Sequence, residues 1–247
     1  MSAGGLSDRQ VGLLHELGID VWQLRESPAS DASVAPEVAV DVSTDVLTDV
    51  STDMPPTEMP GDVTGDWETV HGAIRSCTRC ALHETRTHAV CGVGNIRADW
   101  LIVGEAPGEE EDRQGEPFVG RAGQLLNEML RAIGLQREQV FIANVLKCRP
   151  PDNRDPRPAE IEQCLPYLRR QIEMLQPKVI LVVGRIAAQT LLQVDKPLGQ
   201  LRGRKYEYQG VPLVVTYHPA YLLRSPSQKA KSWEDLLLAL DLMGEMK

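Results

Sequence analysis

The chain has 247 residues, 42% of them hydrophobic, with a formal net charge of −9 at pH 7. That length holds one good-sized core plus an appendage. No run reaches about 18 apolar residues, so no membrane span is expected. The charge is unevenly placed: residues 1–66 hold 2 basic and 13 acidic residues, net −11, whereas residues 67–247 hold 24 basic and 22 acidic, net +2. The body is slightly basic and can carry a nucleic-acid face.

The first residues, MSAGGLSDRQ, lack a basic segment followed by an apolar one, so secretion is not expected and the cytoplasm is the expected location. Leu6 to Leu17 has helical apolar spacing, with Ser7 as N-cap and Gly18 as stop, which makes residues 1–25 a short helical element. No Lys or Arg occurs from Glu26 to Ile74, and residues 41–53, DVSTDVLTDVSTD, repeat with period four. A helix there would stack Asp41, Asp45, Asp49 and Asp53 into one like-charged stripe. Residues 26–66 therefore read as an acidic, disordered linker.

From Trp67 the pattern becomes α/β. A helix is predicted over about Trp67–Cys77. Near-continuous apolar runs, as in buried parallel strands, cover Trp100–Val103, Val140–Val145 and Val179–Val183, and a fourth strand is predicted at Leu213–Thr216. Helices are predicted over Ala122–Ile133, Pro158–Leu175, Ile186–Gln193 and Ser232–Met243, with a small hairpin arm in Gly199–Gly210. Strands alternating with helices imply a three-layer α/β/α fold around a central four-stranded parallel sheet.

Three loops follow the ends of these strands: Gly104–Gly123, Asn144–Pro158 and His218–Arg224. The first, GEAPGEEEDRQGEPFVGRAG, has five glycines and two prolines, which allow close backbone approach to a ligand. Its five acids from Glu105 to Asp112 argue against a phosphate cradle. In a parallel sheet such loops converge on one edge. They would bring Glu105, Phe118, Asn144 and His218 together, an aromatic face with an amide and an imidazole, which suits a planar heterocycle with a carbonyl–NH edge. Glu109, Glu110 and Asp112 read as a solvated face.

Of five cysteines, Cys77 and Cys80 form a CxxC pair; 67 residues intervene before Cys148 and 15 more before Cys164. In a cytosolic chain this set points to metal rather than disulfides. Four thiolates can hold zinc or an iron–sulfur cluster, and the spacing admits either. Closing them on one group would staple the N-terminal helix to the body. Cys91 reads as a plain buried thiol.

GEAPGEEEDRQGEPFVGRAG, ANVLKCRPP and HPAYLLR, with the four cysteines in order, resemble the family 4, iron–sulfur members of the uracil-DNA glycosylase superfamily. The resemblance runs from about Trp67 to Lys247 and makes residues 67–247 the glycosylase domain. It implies flipping of uracil from single- or double-stranded DNA, hydrolysis of its N-glycosidic bond and a [4Fe–4S] cluster on Cys77, Cys80, Cys148 and Cys164. It implies that Phe118 stacks on the base and that Asn144 reads its O4 and N3–H edge. His218 and backbone N–H groups of the Glu105–Ala106–Pro107 turn would stabilise the departing anion. Family 1 enzymes carry an Asp where this chain has Ala106, so Glu105 is the expected catalytic carboxylate; Glu111 is the expected pocket wall against the thymine methyl. Phosphate contacts are expected from Arg149, Arg202, Arg204 and Arg224, with Lys147, Arg154, Arg157 and Lys205 as further candidates. Tyr221–Ser227 resembles a loop that wedges into the duplex, through Leu222, Leu223 or Arg224. A monomer is expected, with residues 1–66 as a candidate contact for a repair or replication partner. The rival reading is a non-catalytic DNA-binding iron–sulfur module.

Overall fold

The computed structural model describes residues 65–245; the expectations for residues 1–64 lie outside it. Helix α1 (Trp67–Ser76) opens on Asp66, whose carboxylate accepts from the Thr69 amide at 2.9 Å. A short strand β1 (Val93–Gly94) precedes β2 (Trp100–Gly104). Then follow α2 (Glu109–Gln114), α3 (Arg121–Ala132), β3 (Phe141–Asn144), α4 (Pro158–Leu175), β4 (Val179–Val183) and α5 (Arg185–Leu192). The chain closes with α6 (Leu198–Leu201), β5 (Lys205–Tyr208), β6 (Val211–Thr216), α7 (Pro219–Arg224) and α8 (Lys229–Glu245).

The strands form one six-stranded sheet in the order β1-β3-β2-β4-β6-β5. Its four central strands run parallel, as expected, and the two edge strands are antiparallel. The expected four-stranded sheet is thus extended on both sides. Strand β1 has two residues, too few to show any periodicity. The hairpin arm joins the sheet as its edge, with Tyr206 opposite Leu213. Alternate side chains of the central strands feed two cores. Leu101, Val103, Ile180 and Val182 pack with α4 and α5; Trp100, Ile102, Leu181 and Val183 pack with α3 and α8. These are the three α/β/α layers. Among the described residues no helix is long and apolar enough to cross a membrane.

A third, smaller core joins α1 to α4. It gathers Val70, Ile74, Leu82, Leu146 and Tyr167 with Cys91, Cys148 and Cys164. Three of the described helices were not foreseen, among them the short α6. α2 lies inside the acidic strand-end loop, where its four acids sit in the first turn and complement the helix dipole. α7 begins directly after His218.

Candidate active site

Strands β2 and β3 end side by side, with Gly104 paired to Asn144. Asn144 is 2% exposed, and its side-chain Oδ1 has no hydrogen-bond partner. A buried polar atom in that state costs about 1–3 kcal/mol, so it points to a ligand rather than to stability. Gly104 provides the room beside it. A Cβ at 104 would stand 2.4 Å from Asn144 Oδ1 and 2.7 Å from the Phe118 ring. The Asn144 main-chain carbonyl is held from behind by Lys147, whose Nζ donates to it at 2.8 Å and to Gln171 Oε1 at 2.6 Å.

Strand β6 delivers His218 to the same place. Its ring stacks on Phe118 with centroids 5.6 Å apart and planes at 28°. Nδ1 accepts from the Ala220 amide at 3.1 Å, so in the neutral ring the proton sits on Nε2. Burial, with Arg224 adding to it and Glu111 opposing, pushes the His218 pKa down to about 4. The imidazole is therefore neutral at pH 7, with an N–H available on Nε2.

The loop between β2 and α3 is braced by two acids. Glu111 accepts from the Gly108 amide at 3.2 Å and from the Val119 and Gly120 amides at 3.0 Å each. Its carboxylate thus organises the turn on either side of α2, a use that the sequence alone did not suggest. Asp112 corrects the expectation of a solvated face. It is 4% exposed and accepts from the amides of Thr87 and His88. Position on α2 separates it from Glu109 and Glu110, which stay exposed.

Glu105 faces another way. Its Oε1 accepts from the Ile186 amide at 2.9 Å at the start of α5. Gly184 makes this approach feasible, since a Cβ there would lie 2.5 Å from that oxygen. Burial raises the Glu105 pKa, and Asp155 adds to this; the Ile186 amide and Arg185 oppose it. Next along the turn, Ala106 packs toward the cysteine-lined core and Pro107 is buried. Pro107 has no N–H, so only Glu105 and Ala106 can supply backbone donors from this turn.

Cys77, Cys80, Cys148 and Cys164 line one cavity beside Tyr167, and all four are free thiols. Cys77 caps α1, Cys80 opens the Ala81–Glu84 turn, Cys148 follows β3 and Cys164 lies in α4. Arg86 Nη1 lies 3.1 Å from Cys148 Sγ, and the Lys147 amide donates to Cys164 Sγ at 3.2 Å. Burial raises the pKa of both thiols, and these two donors oppose it. Among the described residues, no three His, Cys, Asp or Glu side chains converge tightly enough for a single metal ion. Four cysteine sulfurs around one cavity are a donor set suited to zinc or to an iron–sulfur cluster. Cys91 does not line that cavity; its Sγ contacts the His71 carbonyl.

The expected DNA contacts divide. Arg204 and Arg224 are exposed. Arg149 donates to Asn153 at 2.8 Å and lies 3.7 Å from Glu109. Arg202 is corrected: its side chain is 13% exposed and pairs with Glu234 and the fully buried Asp235. That pairing anchors the hairpin arm to α8. Lys147 is corrected as well, being 1% exposed. Arg154 is engaged with Glu160. On α7, Leu222 is buried, whereas Tyr221 and Leu223 are exposed. Leu223 sits beside Arg121 and Gln124 of α3.

The profile of the uracil DNA glycosylase superfamily matches residues 91–237. The chain is 47% identical over 180 residues to a type-4 uracil-DNA glycosylase of Archaeoglobus fulgidus, covering 70% of this chain and 90% of that protein. The chain belongs to the type-4 uracil-DNA glycosylases. It is also 44% identical over 181 residues to the type-4 enzyme of Pyrobaculum aerophilum, covering 70% of this chain and 92% of that one. The type-4 enzyme of Thermotoga maritima is 45% identical over 166 residues, 66% of this chain and 86% of that one. These matches span the site-bearing body.

Sequence reading therefore anticipated Phe118, Asn144 and His218, which the structure brings together. It missed Gly104, Gly184, Asp112 and Lys147 in their observed roles. A glycine closing an apolar strand run was a signal for Gly104. Nothing local marked Lys147 as buried, because its partner Gln171 lies 24 residues away.

Proposed function

We propose that the protein excises uracil from DNA in base excision repair, hydrolysing the N-glycosidic bond and leaving an abasic site. The observation that carries this reading is the buried, unpartnered Asn144 amide oxygen in the slot bounded by Gly104 and Phe118. A uracil that leaves the stack presents N3–H and O4 as one donor–acceptor edge. The Asn144 amide matches it, with Oδ1 accepting from N3–H and Nδ2 donating to O4. Cytosine presents an amino donor and an unprotonated N3 in those positions, so the same amide rejects it.

Phe118 supplies the stacking face. Ring atoms in contact sit about 3.5–4.0 Å apart, so at 5.6 Å between centroids a base cannot lie between Phe118 and His218 without parting them. As the C1′–N1 bond breaks, its electron pair leaves with uracil. His218 Nε2–H donates to the oxygen on which that charge gathers, and the Glu105 and Ala106 amides can add to this preorganised field. Water attacks C1′ and loses a proton to a carboxylate. Glu105 is our choice: the Ile186 amide anchors Oε1, which leaves Oε2 for water, and its raised pKa improves it as a base.

Cys77, Cys80, Cys148 and Cys164 would hold a [4Fe–4S] cluster that ties α1 to β3 and α4. Arg204, Arg224 and Arg149 would meet phosphates, with Leu223 and Tyr221 as the exposed wedge. A labelled oligonucleotide containing one uracil tests the function: incubation followed by alkali cleaves the strand at that position. An intact strand after treatment with cluster-replete protein would leave only the rival, a DNA-binding module without catalysis.

A further inference from the structure

Phe118 adopts a left-handed backbone, φ +53°, rare for a large side chain. Such a conformation persists only where its surroundings over-determine it. Here a single peptide group is gripped at both ends. The Phe118 carbonyl accepts from Arg137 Nη1 at 3.2 Å, and the amide that follows it, on Val119, donates to Glu111 Oε1 at 3.0 Å. The Arg137 guanidinium also donates to the Pro117 carbonyl and, at 3.3 Å, to Asn127 Oδ1. Helix α3 closes on the same carbonyl, where a Cβ on Gly123 would lie 1.8 Å from the oxygen. Arg137 stands in the turn before β3, 19 residues from Phe118.

We propose that Arg137 is a positioning residue for uracil excision. With Glu111 it locks the 118–119 peptide, and so aims the Phe118 ring at the slot between Gly104, Asn144 and His218. The planar guanidinium is suited to this because its fork reaches two successive carbonyls at once. A lysine could serve only one. The inference rests on Phe118 being the surface on which the base stacks.

The test exploits the presence of two phenylalanines in the chain, Phe118 and Phe141. Full-length protein labelled with 4-fluorophenylalanine gives one fluorine resonance for each, and Phe141, in the core, serves as the internal control. In Arg137→Met the Phe118 resonance shifts and broadens while that of Phe141 stays. Single-turnover uracil release falls roughly 100-fold, as misplacement of a contact group does, while duplex affinity is retained. Phe118→Leu shows a similar loss, and the double variant falls no further. Arg137→Lys lies between wild type and Arg137→Met, and carries the same measurements if the methionine variant fails to fold. An unmoved Phe118 resonance, or losses that multiply in the double variant, would overturn the positioning role. Full activity in Phe118→Leu would instead remove the stacking role of Phe118, and the fluorine spectrum would still decide whether Arg137 holds the ring.

Discussion

Gly104 and Asn144 sit opposite each other on adjacent parallel strands, so close that a Cβ on the glycine would stand 2.4 Å from the amide oxygen. The missing side chain is what keeps the Asn144 amide in place. Gly104→Ala needs no unusual backbone, so the fold should survive. The displaced Asn144 amide should lower kcat/KM for uracil by roughly 100-fold. Steady-state excision assays with a thermal melt check this; wild-type activity in the alanine variant would show that the slot can yield.

Asn144→Ala should separate function from stability. Its Oδ1 is buried without a partner, a state that costs about 1–3 kcal/mol. Removing it should leave the melting temperature equal to or above wild type while excision falls by roughly 100-fold or more. A variant that loses duplex affinity in proportion to activity would make Asn144 a DNA contact instead.

His218 sets a pH dependence. Its folded pKa of about 4 lies below the ordinary 6.5. Below pH 6.5 the unfolded chain takes up a proton that the folded one refuses, so stability falls as pH drops from 6.5 toward 4 and levels off beneath that. The shift corresponds to a loss of order 3 kcal/mol. His218→Gln should flatten that slope in melts across the range. His218 should contribute no inflection near 6.5 to excision by the wild type. The acid limb of excision should follow the raised Glu105 carboxylate and vanish in Glu105→Gln, whose rate is low throughout.

The four cavity-lining cysteines should bind about four irons per chain with matching sulfide. Cys148→Ser or Cys164→Ser should lose the visible absorbance and lower the melting temperature, because α1 is then no longer tied to α4. Cys91→Ser should keep the iron. Stoichiometric zinc in place of iron would contradict the cluster assignment.

Arg202 and Arg204 are near neighbours with opposite expected phenotypes. Arg202 pairs with buried Asp235, so Arg202→Ala should cost about 3–5 kcal/mol of stability. Exposed Arg204 and Arg224, changed to Ala, should leave melting unaltered. Each should weaken DNA binding and reduce the salt slope by about 1. Titrations at several salt concentrations decide between the two classes.

Much of this is legible in the sequence. The central strands announced themselves because a parallel strand buried on both faces is apolar throughout, as Val179–Val183 is. Phe118, Asn144 and His218 could be grouped because strand ends converge in such a sheet. The edge strands could not be read: β1 is too short for a pattern, and β5 is half-solvated. The charged residues were hardest. Lys147, Asp112 and Arg202 look like any surface charge until their partners are known, and those partners are 24 to 33 residues away in sequence.

The chain alone determined the α/β class, the loops that bear the site and the four thiols that share one cavity, because these rest on local periodicity and spacing. Only the tertiary structure decided where each acid sits and what it contacts. It turned Glu105 toward α5, set Glu111 to brace the loop, buried Asp112 and clamped Phe118 through Arg137. The reason is physical: a carboxylate or guanidinium gains its role from the donors and acceptors that folding brings within about 3 Å, and residue order does not encode that distance.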